Sequence, residues 1–351
     1  MKTIRVFITP CESGPDAWTH QAELLLRAFP HNDPTLALAE TPEQADLIFI
    51  TDLRDRNDNY ASLRWHPLVH RFPQRCFSIS DLDNPPRWVR GIHTSATRSP
   101  LNLRRFHTGS YFLYHPDFRN PFIESYAAGR ACMPTDKQYL FSFLGRACTP
   151  LRRELLSMKF RRPDVRVVDT SSFNAFTHTV AGKTEAQKRY ADTLCASKYA
   201  VCPRGNGAAS IRLFEAMSVG VAPVILSDAW ILPRGPNWRS FALFIRERDA
   251  ASLEQVIEAH ESEWMERGAR ARAAYRQFFT DEAYIRYLVG CAWDLRRRAV
   301  LPERLVHRCW PAAELAARAR RRLGRLRQKL RVPWLEHRRM AFERRAAGRH
   351  A

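Results

Sequence analysis

Hydrophobic positions along this chain come in short blocks. Residues 3–9 (TIRVFIT), 45–51 (ADLIFIT) and 75–80 (RCFSIS) are apolar on both faces, the pattern of strands in a parallel sheet covered by helices. Residues 17–29, with Leu24, Leu25 and Leu26, predict a helix between the first two runs. The β-α-β order points to a first Rossmann-like lobe. Prolines and polar residues interrupt the pattern from 84 to 121, where only 110–114 looks like a strand.

A second alternating region begins near Lys137. Residues 139–144 (YLFSFL) predict a strand ending at Gly145, and residues 149–158 a helix with Thr149 as N-cap and Pro150 at its first position. A strand at 165–169 and a helix at 184–196 follow. Residues 198–202 then form a strand, 203–208 a glycine-containing loop, 209–219 a helix ended by Gly220, and 221–226 a further strand. Residues 253–288 read as helical with polar breaks. The expected organisation is an acceptor lobe at 1–136, a donor lobe at 137–290 and a basic, partly helical tail at 291–351.

The loop at 203–208 carries the chemistry. Gly205 and Gly207 flank Asn206 directly after a strand, and glycine lets a ligand approach the backbone closely. The next helix points its free N–H groups and positive dipole end at that loop, a ready site for phosphate or pyrophosphate. Ser210 and Arg212 in the first turn, and Arg204 before it, add a hydroxyl and fixed positive charges. Glu215 follows Arg212 by three residues on a similar helix face. A carboxylate repels phosphate, so its partner there is neutral, and two vicinal ribose hydroxyls fit. Alone, this spacing equally suits a packing loop and a helix-surface ion pair.

The same stretch resembles the exostosin-type glycosyltransferases of family 47. Pro203, Gly205, Ser210, Arg212, Leu213, Glu215, Ala216, Gly220, Pro223, Val224 and Ile225 stand in the order of that family's signature. Residues 41–51 (TPEQADLIFIT), residues 143–146 with Arg152, and residues 238–247 (WRSFALFIRE) are similar to three further family segments. The resemblance spans residues 1–257 and is close only from 141 onward. The short first lobe, the Gly-Asn-Gly context and the basic tail depart from the pattern. The resemblance implies an α/β, GT-B architecture, two Rossmann-like lobes facing a cleft. It also implies a nucleotide-sugar donor held by the second lobe, inversion at the anomeric carbon and no metal or other cofactor. Arg146 and Arg152 beside Gly145, with Arg204 and Arg212, would then stabilise the departing diphosphate. A fucosyltransferase-type enzyme and a non-catalytic nucleotide- or sugar-binding module are the alternatives.

An inverting transfer needs a base for the acceptor hydroxyl. Loops at the carboxyl ends of first-lobe strands offer Glu12, Asp16 and His20, and then Asp81 and Asp83. Asp16 is the first choice and Asp81 the second, although Asp16 also suits an N-cap. Asp81-Leu82-Asp83 has the form of a metal-binding triplet, but Asn84-Pro85-Pro86 after it reads as a turn. His107 and His115 are candidates for acceptor contact.

Charge changes the picture only at the C-terminus. The net charge is +20, but residues 296–351 hold 18 Lys or Arg against 4 Asp or Glu, which leaves the body near neutral for its size. This distribution argues against nucleic acid as partner of the body. Residues 318–331 (RARRRLGRLRQKLR) place Leu323, Leu326 and Leu330 on one helical face, and residues 334–345 add Trp334, Leu335, Met340 and Phe342. Such a basic amphipathic segment (318–345) suits an anionic membrane surface and a glycan or lipid-linked acceptor there, as in surface polysaccharide synthesis. A solvated charged helix and adventitious nucleic-acid affinity are its rivals. The eight cysteines form no CxxC pair, and no 18-residue apolar stretch occurs. With Met1 leading almost directly into a strand, the expectation is a cytoplasmic protein with reduced cysteines, peripheral at the inner face of the membrane.

Overall fold

The computed structural model describes residues 3–12, 19–54, 60–111, 119–129, 136–173 and 180–309. The chain divides into one compact unit, Met1–Ala299, and a second, Val300–Ala351. The tail segment 318–345 lies outside the described residues.

The first unit holds two parallel sheets. In the first lobe run β1 (Ile4–Pro10), α1 (His20–Arg27), β2 (Leu36–Leu38), β3 (Leu47–Thr51), α2 (Ala61–Arg64), α3 (Pro67–Arg71), β4 (Cys76–Ser80), β5 (Gly91–His93), α4 (Pro100–Arg105) and β6 (Phe106–His107). The strand order is β2-β1-β3-β4-β5-β6, all parallel. All five residues of β3 and of β4 are buried, as expected of strands covered on both faces. Helix α5 (Pro121–Ala127) leads to the second lobe. There follow β7 (Tyr139–Gly145), α6 (Pro150–Ser157), β8 (Val165–Asp169), α7 (Val180–Cys195), β9 (Ser197–Pro203), α8 (Ile211–Ser218), β10 (Ala222–Leu226), β11 (Leu243–Phe244), α9 (Leu253–Glu258), α10 (Trp264–Phe278) and α11 (Asp281–Arg297). Their sheet runs β11-β10-β9-β7-β8, again all parallel. This is the two-lobed α/β architecture that the GT-B expectation describes.

Local chemistry accounts for the element ends. Thr149 Oγ1 accepts from the Arg152 N–H at 3.2 Å and Pro150 opens α6, so that N-cap is as expected. Gly220, at φ +75°, ends α8 in the left-handed conformation that glycine tolerates. The proposed strand at 110–114 does not form at its described residues. Ser110 is irregular and Tyr111 has 3-10 geometry, while the strand is the two-residue β6 just before them. The helical region with breaks expected over 253–288 consists of α9, a 3-10 turn at Glu261–Glu263, α10 and α11.

Helix α11 joins the lobes. Its Ile285, Leu288, Ala292 and Leu295 share one buried cluster with Phe49, Phe77 and Ile79 of the first sheet and with Leu213 and Met217 of α8. A boundary at residue 290 therefore falls within a helix that packs on the first sheet. A second cluster fills the far side of the second sheet against α6 and α9. Among the described residues no helix is long and apolar enough to cross a membrane. Cys11, Cys76, Cys195, Cys202 and Cys291 are free and buried, whereas Cys148 and Cys309 are free and exposed.

The carboxyl ends of the two sheets meet. The Trp230 indole N–H donates to the Thr94 carbonyl at 2.8 Å, the Ile231 N–H to Ala96 at 3.0 Å and the Arg98 N–H to Ala229 at 2.6 Å. These contacts bring the loop after β5 against the loop after β10.

Candidate active site

On the second lobe the site begins where β7 and β9 end. Arg152, in the first turn of α6, donates Nε to the Arg204 carbonyl at 2.9 Å and Nη2 to the Pro203 carbonyl at 3.1 Å. Arg212, buried on α8, donates Nη2 to the Leu144 carbonyl, with its guanidinium 4.7 Å from the Phe143 ring centre and 5.7 Å from that of Tyr190. Its Nε is buried without a partner among the described residues. A side chain at Gly145 would meet Phe143 and lie 3.2 Å from Arg212 Nη2, and one at Gly205 would lie 3.5 Å from Arg152 Nη2. Gly145, Arg152, Gly205 and Arg212 thus form one cluster. Burial lowers the Arg152 pKa, and the neighbouring charge of Arg212 lowers it further. Both guanidiniums rest on backbone carbonyls, and no described carboxylate hydrogen-bonds to either. Two partly desolvated cations of one sign, beside the N-terminus of α8, favour an anionic ligand.

The remaining predicted donor residues stand differently. Arg204 has a carboxylate of its own, with Nε at 3.0 and 2.9 Å from the two Glu247 oxygens. Arg146 is exposed at the end of β7. Ser210 is buried and stands at the N-cap of α8 but makes no capping hydrogen bond with its side chain.

Glu215 is half-buried, and the Tyr190 hydroxyl donates to its Oε2 at 2.6 Å. Burial raises the Glu215 carboxyl above its ordinary value, against the opposing influence of that bond and of Arg212. The residue borders a cavity of about 110 Å³ shared with Tyr111, Arg119, Phe214, Tyr275 and Asp281. Glycine-loop residues do not line it, and it is smaller than the several hundred Å³ of a ligand cleft. Glu215 is connected to the arginine cluster through Tyr190, whose ring lies under Arg212.

The first lobe supplies the acids. Asp81 is half-buried and accepts from Gln21 Nε2 at 2.8 Å. Burial raises its pKa, and the charges of Asp52 and Asp83 add to the effect. Asp83 reaches the other lobe: a Cβ on Gly207 would sit 2.6 Å from its Oδ1 and 2.4 Å from Ser95 Oγ. The loop after β4 and the glycine loop are therefore in contact, and only glycine fits at 207. Glu12 accepts from Ser62 Oγ at 2.6 Å. His107 pairs with Asp294 of α11 at 2.8 Å, which ties it to the lobe junction. Asp16 and His115 lie outside the described residues. The described residues contain no group of three or more His, Cys, Asp or Glu able to hold a metal ion.

The sequence reading passed over Asp52, Gln21, Tyr190 and Ser95. Asp52 had one signal, an acid at the end of a wholly apolar strand. The others had none.

Residues 113–260 match the Exostosin GT47 domain. Over that stretch the chain is similar to the exostosin-type glycosyltransferases of family 47. Within it fall Gly145, Arg146, Arg152, the glycine loop, Arg212 and Glu215. The exostosin-1 homolog of Caenorhabditis elegans is 37% identical over 70 residues, which cover 19% of this chain and 18% of that protein. Exostosin-1 of Drosophila melanogaster is 25% identical over 182 residues, 47% of this chain and 24% of that protein. The chain thus spans under a quarter of the length of these relatives. A glycosyltransferase structure from Rickettsia africae aligns over 85% of this chain and all of that one, at 10% identity and a TM-score of 0.39. The first-lobe acids, residues 12–83, precede the exostosin-type domain.

Proposed function

We propose that this protein is an inverting, metal-independent glycosyltransferase. It moves a sugar from a nucleotide-sugar donor to a glycan or lipid-linked glycan acceptor in surface polysaccharide synthesis. The observation that carries this reading is the contact at Gly207, where the Asp81–Asp83 loop of one lobe meets the loop beside Arg152 and Arg212 of the other. The two guanidiniums and the α8 N-terminus would take the charge that develops on the diphosphate, and Glu215 the donor ribose. Asp81 would accept the acceptor's hydroxyl proton as that oxygen bonds to the anomeric carbon. The bond from that carbon to the diphosphate oxygen breaks on the opposite face, so configuration inverts. Asp16 is the alternative base. The basic segment 318–345 would rest the protein on the inner, anionic face of the membrane, in the cytoplasm.

The test is a thermal-shift screen over UDP-, GDP- and other nucleotide sugars, followed by assay of nucleoside diphosphate release. Stabilisation by one nucleotide class together with its turnover is expected. Binding without turnover would instead support a nucleotide-binding module, and the absence of both binding and turnover would refute the reading.

A further inference from the structure

Gln21, in the first turn of α1, is held at three points. Its backbone N–H donates to Asp52 Oδ1 at 2.7 Å, its side-chain Oε1 accepts from the Asp52 N–H at 3.1 Å, and its Nε2 donates to Asp81 Oδ1 at 2.8 Å. The amide orientation follows from its neighbours: a backbone N–H can only be answered by Oε1, so the NH₂ end faces Asp81. Asp52 is shaped for this arrangement. It is buried at the end of β3 with φ +54°, a left-handed backbone uncommon outside glycine. In that pose its carboxylate takes the N–H groups of both Gln21 and Ala22, and so caps α1 from a neighbouring strand. Thr51 Oγ1 donates to Asp52 Oδ2 at 2.8 Å and fixes the carboxylate in turn.

Asp81 itself sits among groups that disfavour its charge. These are Asp52 at the end of β3 and Asp83 on its own loop; the other titratable groups nearby are Tyr284 of α11, which Asp81 itself pushes up, and His20, which favours the charge of Asp52. The Gln21 amide is the strongest influence in the opposite direction. We propose that Gln21, locked by Asp52, is a positioning residue that fixes one oxygen of the Asp81 carboxylate and leaves the other for the acceptor proton. This rests on the transferase reading with Asp81 as base.

The test compares wild type with Gln21→Ala, Gln21→Glu and Asp81→Asn. Gln21→Ala keeps the backbone N–H that Asp52 caps, so the fold is retained. Carboxyl ¹³C NMR with labelled aspartate, assigned through Asp81→Asn, follows the Asp81 titration directly. Its midpoint should move upward in Gln21→Ala and further upward in Gln21→Glu, where a second carboxylate faces it. In turnover of whichever nucleotide sugar the wild type uses, Gln21→Ala should lower kcat about 10- to 100-fold. The donor KM should stay within about two-fold, and the acid limb of the pH profile should move to higher pH. A wild type that turns over no nucleotide sugar would overturn both proposals. Wild-type turnover with an unmoved Asp81 midpoint and pH profile in Gln21→Ala would overturn the positioning role alone.

Discussion

The Tyr190–Glu215 pair is where structural and ligand-binding roles can be separated. The hydroxyl donates to the carboxylate at 2.6 Å in a setting that raises the pKa of both groups. A hydrogen bond to a charged group contributes about 1.5–3 kcal/mol, and an enclosed acceptor left without its donor costs about as much. Tyr190→Phe removes only that hydroxyl and should destabilise the protein by about 2 kcal/mol. Glu215→Gln keeps the shape and still accepts from Tyr190, but as a neutral bond. It should cost about 1 kcal/mol, reduced further because a charge no longer has to be desolvated. The double variant should lose less than the sum of the two, because one substitution removes and the other weakens the same bond. Urea unfolding of the four proteins at pH 7 gives the coupling energy. Titration calorimetry with nucleoside diphosphates gives the other half. If Glu215 holds the ribose, Glu215→Gln loses at least one charge-assisted bond, and affinity should fall about 10- to 100-fold. Tyr190→Phe should fall by less, since the carboxylate remains. Undiminished affinity in Glu215→Gln would refute the ribose assignment, and strictly additive stabilities would refute the coupling.

Gly207→Ala should destabilise the lobe contact by about 1–3 kcal/mol through overpacking, because the added Cβ would lie 3.0 Å from the Asp83 α-carbon. Ser95→Ala, which removes a hydroxyl without a partner among the described residues, should recover part of that loss in chemical denaturation of the double variant. His93 is fully enclosed, and burial drops its pKa to about 3 from an ordinary 6.5. The unfolded chain binds the proton first, so stability is full above about pH 6.5 and is lost as pH falls toward 3. The loss is on the order of 4 kcal/mol by pH 3.5, and urea midpoints from pH 7 to 4 should flatten in His93→Gln. Cys148 is exposed and its thiol lies beside Arg152. Its alkylation, read by peptide mass spectrometry with exposed Cys309 as internal control, should slow in the presence of the bound nucleotide sugar. Equal rates would place the donor elsewhere.

Much of this molecule is local in origin. The run from Lys198 to Leu226 could be read in one pass because β9, the glycine loop, α8 and β10 each carry their own signal: apolar blocks, glycines where the backbone turns, and a helix ended by Gly220. The resemblance rested on that same stretch, and the domain match covers it. The strands β2, β5 and β6 escaped because they are two or three residues long, too short for any periodicity to register. Arg212 looked like a phosphate ligand on a helix start, yet its guanidinium also serves the Leu144 carbonyl of a strand 68 positions earlier. Asp52 and Gln21 are 31 residues apart and meet only because β3 lies beside β1 and α1 packs over both. Helix α11 reads as an ordinary amphipathic segment, and nothing in its periodicity says which sheet it covers. Side-chain patterning determines the elements and the loop chemistry, since both depend on neighbours a few residues away. Which acid faces which arginine was settled by sheet order and lobe contact, whose partners are distant along the chain and adjacent only in space.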